Sequence, residues 1–149
     1  MIKLQPYHAA DDGRWAEAIV GPERTKMTYA IKSLFDADAT VAFGSDWFVA
    51  PPSVMLGIHA AVNRQTLDGK NPNGWVPEQK ITVEQALYAY TKNAAYTSFD
   101  ENEKGMLKKG MLADFVILSD NLLTIDKLKI DQVEVLKTYV GGQEVFVKN

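Results

Sequence analysis

The chain contains no cysteine and only two histidines among its 149 residues. Neither a disulfide framework nor a thiolate metal centre or nucleophile is available to it, so any metal must be held by His, Asp or Glu. It also lacks an excess of either charge: 16 basic against 19 acidic residues leave a formal net charge of -3. That balance gives no electrostatic basis for binding nucleic acid or an anionic membrane. No stretch approaches the run of about 18 apolar residues that spans a bilayer. The opening MIKLQPYHAA has one lysine and then Pro6 where an export signal would carry a long apolar segment. A cytoplasmic protein with a small-molecule or protein partner is the expectation, with no nucleic acid and no membrane.

What is present is an ordinary globular composition, 46% apolar, and a length at which one domain buries roughly two thirds of its unfolded surface. Residues 2 to 7, IKLQPY, alternate apolar and polar until Pro6 removes a ladder donor, which predicts a short strand and leaves His8 just past its end. A short helix is expected after Asp12, and a second at GPER, with Pro22 in the first turn and Met27, Ala30, Ile31, Leu34 and Phe35 as its core stripe. TVAFG is apolar without alternation, the pattern of a strand covered on both faces in a parallel sheet. Strand, helix and strand thus form a candidate crossover unit. A helix is expected from Val54 to about Leu67, with Val54, Ile58, Ala61 and Val62 on one side. Thr82 and Gln85 make a capping-box pattern before a helix whose apolar face is Val83, Ala86, Leu87, Tyr90 and Ala94. ADFVIL reads as a strand, and Gly141-Gly142 between two β-rich segments reads as a two-residue hairpin. The chain begins as α/β and finishes as β.

Five stretches carry more than local structure: QPYHAADDGRW, GPERTKMTYAIKSL, AFGSDWFVAP, GWVPEQKITVEQALYAYTKNAAY and KGMLKKGMLADFVIL. In this order they resemble the C-terminal part of the metal-dependent amidohydrolases of family 3, the branch similar to N-substituted formamide deformylases and exoenzyme-regulatory hydrolases. The resemblance implies an α/β fold class, the C-terminal fragment of a (β/α)8 barrel plus part of its small β-sandwich. Residues 1–97 would be the last strands and helices of the barrel, with residues 2 to 7 as its seventh strand and TVAFG as its eighth, and 98–149 the sandwich portion. The implied reaction is metal-dependent cleavage of non-peptide C–N bonds in a small amide substrate, with zinc as the first choice of divalent metal.

The family's His-x-His, its bridging acid or lysine and its two later metal histidines have no counterpart here, since neither His8 nor His59 matches them. The isolated chain is therefore expected to be catalytically incomplete and to hold no metal tightly by itself. Its expected partner is an N-terminal barrel portion or another copy of itself in a homo-oligomer. The alternative is a non-catalytic, self-associating structural or binding module derived from such an enzyme.

The candidate site residues lie in FGSDWFVAP. An aspartate at a strand end is commonly a turn former or helix cap, but the resemblance implies that Asp46 is the family's last-strand aspartate, contacting the metal and taking the proton of the attacking water. Trp47 would form a wall of the substrate pocket or pack under the loop, and Phe48 stands where the family has proline. His8 would contact substrate or metal-bound water, or else be a loop histidine bonded to backbone. His59 reads as a packing residue of its helix. Asp11 and Asp12 read as caps before a helix rather than as an acid–base pair.

Overall fold

TVAFG forms a strand, β2 (Val41–Phe43), in which all three residues are buried. The first strand, β1 (Ile2–Leu4), pairs with it in parallel, Ile2 opposite Val41 and Leu4 opposite Phe43. The computed structural model describes residues 1–149 and is α/β over this first part, because the chain between the parallel strands is helical. The strand predicted over residues 2 to 7 is shorter than expected. Pro6 opens helix α1 (Pro6–Asp12) instead, a position where its missing N–H costs nothing. His8 is therefore a helix residue, and Asp11 and Asp12 end that helix rather than cap the start of the next.

The next helices are α2 (Ala16–Val20), α3 (Pro22–Thr25) and α4 (Ile31–Asp36). The single helix expected from GPER onward is broken, because Tyr29 takes a left-handed backbone with φ of 52°. Ile31 and Leu34 still reach the core, but Met27 is left exposed. Helix α5 (Val54–Asn63) ends earlier than expected at Arg64, which is also left-handed with φ of 58°. Val54 is exposed, whereas Ile58, Ala61 and Val62 are buried as predicted.

Thr82 and Gln85 form both bonds of the capping box at the start of α6 (Val83–Tyr90). The predicted helix divides at Thr91, so Ala94 belongs to α7 (Lys92–Thr97). An antiparallel sheet follows, β3 (Phe115–Leu118), β4 (Val135–Val140) and β5 (Gln143–Val147). Gly141 and Gly142 have φ of 57° and 79°, the positive values that a primed two-residue turn requires. One apolar core joins the parts: Ile31, Val41, Phe43, Ile58 and Ala86 pack in the same cluster as Leu122, Ile130 and Val133. No helix is long and apolar enough to cross a membrane.

Candidate active site

Because β1 and β2 are parallel and in register, their C-terminal ends emerge side by side, and the Gly44 N–H donates to the Leu4 carbonyl at 3.0 Å. The chain leaving β2 turns sharply: the N–H groups of Val49 and Ala50 both donate to the Asp46 carbonyl, at 2.8 and 3.2 Å. Asp46 adopts φ of 61°, a left-handed conformation uncommon for a residue with a side chain and concentrated at functional sites. The chain leaving β1 enters α1, which brings His8 over the same end. His8 Nε2 lies 3.4 Å from Asp46 Oδ2.

Two residues flagged separately in the sequence are thus one pair. The His8 side chain is 21% exposed and that of Asp46 50% exposed, so the imidazole is the more enclosed partner while the carboxylate remains open to a reactant. Such a pair can orient the carboxylate through an imidazole N–H and leave its second oxygen free to accept a proton. Trp47 is exposed and meets Phe48 edge to face at 6.5 Å between ring centroids. It does not pack under the loop; its face lies open beside Asp46.

His59 stands apart on α5, half-buried, with its pKa lowered because burial disfavours the charged ring, an effect that Asp131 partly opposes. That environment agrees with the packing role expected of it. Asp12 accepts a hydrogen bond from the Tyr29 hydroxyl, and Asp11 pairs with Arg14. Sequence reasoning did not single out Tyr29, Arg64 or Trp75, which form a cluster behind α1 in which Arg64 and Trp75 are buried and Tyr29 half-buried; an unpatterned arginine and a loop tryptophan carry no periodic signal.

A cavity of about 960 Å³ lies between α6, α7 and the β3–β4 strands and is lined by Leu87, Tyr90, Met106, Phe115 and Tyr139 among others, without His8 or Asp46. Its size exceeds its chemistry: the lining is mostly apolar. A metal would need donors as well as space, and no three His, Asp or Glu side chains are grouped so as to hold one. His8 and Asp46 supply two donor groups, short of the three protein ligands usual for a catalytic zinc. The residues of this chain do not by themselves complete such a centre.

The amidohydrolase family model matches residues 1–146. This chain belongs to the amidohydrolase family. Over 148 residues it is 39% identical to the protein LONG AFTER FAR-RED 3 of Arabidopsis thaliana, a match covering 98% of this chain and 25% of that protein. It is 31% identical to YtcJ of Bacillus subtilis, a protein named as an amidohydrolase, across 99% of this chain and 28% of that protein. A solved metal-dependent hydrolase of Pyrococcus horikoshii superposes with a TM-score of 0.71 at 30% identity, covering 84% of this chain and 25% of the larger one. This amidohydrolase chain thus spans about a quarter of the length of the relatives it matches.

Proposed function

We propose that this chain supplies the last two barrel strands and the proton-handling carboxylate, Asp46, of a metal-dependent amidohydrolase that cleaves non-peptide amide bonds in a small substrate. The observation that carries this reading is the 3.4 Å approach of His8 to Asp46 at the adjacent C-terminal ends of two parallel strands. In (β/α)8 enzymes the reacting groups come from that end. The antiparallel β3–β5 sheet supports the companion assignment of the later residues to the small sandwich.

In this scheme His8 Nε2–H donates to one Asp46 oxygen and fixes the carboxylate. The other oxygen accepts the proton of a water whose oxygen adds to the amide carbon. The same proton is then delivered to nitrogen as the C–N bond breaks, releasing a carboxylic acid and an amine, so that Asp46 ends the cycle ionised. Trp47 forms an apolar wall for the substrate. The family's divalent metal, taken here as zinc, would need ligands beyond His8 and Asp46.

The direct test is a chimera in which these residues replace the corresponding C-terminal portion of YtcJ. The chimera is expected to hydrolyse a panel of N-substituted formamides. A folded, metal-loaded chimera with no amide hydrolysis, beside an active parent, would overturn the reading.

A second reading, a self-associating module, is favoured by one feature. The β1–β2 sheet has only two strands, and β5 presents Val145, Phe146 and Val147 on an exposed edge; unpaired edges of this kind favour pairing with another chain. Light scattering across a dilution series is expected to give a dimer, the commonest closed assembly. A monodisperse species of 16.6 kDa would exclude it.

A further inference from the structure

Helix α1 has seven residues and no side-chain bond at its N-cap, Gln5. Helices this short have little stability of their own, so the direction in which His8 points must be set by tertiary contacts. Pro6, Ala9 and Ala10 are buried where α1 packs on α5, and polar contacts add to this at the other end of the helix. Asp12, one turn after His8 and on the same face, accepts the hydroxyl hydrogen bond of Tyr29. The Leu67 N–H donates to the Ala10 carbonyl at 3.0 Å. Gly13 lies so close to Thr66 and Trp75 that an added Cβ would stand 2.7 and 2.8 Å from their side chains.

Tyr29 is itself held in place. Its left-handed backbone is unfavourable for an aromatic residue and persists only where the surroundings impose it. Arg64, 1% exposed, imposes it: Nη1 donates to the Tyr29 carbonyl at 3.1 Å, Nη2 to the Thr28 carbonyl at 3.4 Å and Nε to the Trp75 carbonyl at 3.0 Å. The guanidinium also lies over the Trp75 ring, 5.5 Å from its centroid, and Trp75 meets Tyr29 edge to face. One rigid fork of donors therefore ties together the carbonyls of Thr28, Tyr29 and Trp75, and with the Trp75 ring it holds the residue whose hydroxyl grips α1.

We propose that Arg64, Tyr29 and Asp12 form a positioning relay that sets where His8 meets Asp46. The functional weight of this inference rests on the role assigned to the His8–Asp46 pair, but its geometry does not. Burial, then the Asp12 bond, raises the Tyr29 pKa well above its ordinary value, so the hydroxyl remains a proton donor across the physiological range. The relay reaches no reacting atom and acts only through the placement of His8.

The presence of only two histidines makes the test direct, because ring-proton NMR of the full chain shows one set of imidazole signals for each. His8→Gln identifies the His8 set, and Asp46→Asn records where that set moves when its partner loses its charge. Tyr29→Phe is expected to move the His8 signals and leave those of His59 in place, and Asp12→Asn, whose amide oxygen still accepts the Tyr29 hydroxyl, should restore the wild-type pattern that Asp12→Ala loses. If Tyr29→Phe does not fold, Asp12→Ala gives the same readout from the other partner of the bond. Unchanged His8 signals in folded Tyr29→Phe or Asp12→Ala, whatever the loss of melting temperature, would reduce the cluster to a purely structural one. Failure of the chimera to hydrolyse amides would leave this result intact, so the two ideas fail separately.

Discussion

Replacing Asp46 by asparagine in the active chimera is expected to lower turnover by at least about 100-fold, the lower range for losing a general acid–base group, while the fold survives. The substitution is unusually clean here. Asn has nearly the same shape as Asp and is among the few residues that tolerate a left-handed backbone, so the turn at φ of 61° is kept. The amide oxygen occupies the place of the carboxylate oxygen 3.4 Å from His8 Nε2, so α1 keeps its contact. What disappears is the ability to take a proton from water and return it to nitrogen. If the carboxylate acts only once bond-making begins, kcat and kcat/KM fall together and KM changes little. Steady-state kinetics alongside a thermal melt separates this from misfolding. Turnover close to that of the unmodified chimera would remove Asp46 from the reaction.

Arg64→Ala is expected to cost on the order of 3–5 kcal/mol of folding stability, among the larger single-residue effects. Arg64 is the largest side chain in the fully buried set, and its removal leaves a void. It also strands the carbonyls of Thr28 and Trp75, which accept two of its three hydrogen bonds; the Tyr29 carbonyl keeps the Ile31 N–H at 2.7 Å. One contribution partly offsets the loss. Burial lowers the Arg64 pKa to about 10, so a desolvation penalty is present at all lower pH values and vanishes with the charge. Arg64→Met separates the effects: it restores volume, leaves the Thr28 and Trp75 carbonyls without the Arg64 donors, and should fall between wild type and alanine. Arg64→Lys should not rescue fully, because one ammonium cannot reproduce the planar fork of donors. Urea unfolding of the three variants measures the order. An alanine variant within 1 kcal/mol of wild type would mean that water replaces the guanidinium without loss.

What sequence reasoning recovered and what it missed divide along a physical line. The capping box at Thr82 and Gln85, the turn at Gly141-Gly142 and the buried strand at Val41–Phe43 are decided by a few neighbouring residues. Pro6 is ambiguous on local grounds, since a proline both ends strands and begins helices; helix α1 is settled by Tyr29, Thr66 and Trp75, all distant in sequence. The breaks at Tyr29 and Arg64 are harder still. Neither is the glycine or asparagine expected at a left-handed position, and each is held there by the other's neighbourhood rather than by its own preference. Asp46 and His8 were each legible as candidates, but their 3.4 Å meeting depends on strand register and on the anchoring of α1 together.

The parallel pairing of β1 with β2 has a thermodynamic side. Residues 5–40 lie between the two strands, and closing a loop of that length costs about 3 kcal/mol before any contact is made. Three-residue strands offer few backbone bonds against that cost, so the pairing depends on the packing of the helices between them for its stability. His8 rides on that strand's continuation. The imidazole–carboxylate pair is consequently absent from any partly folded form in which β1 is free, and the proton handling proposed for Asp46 would wait on that closure.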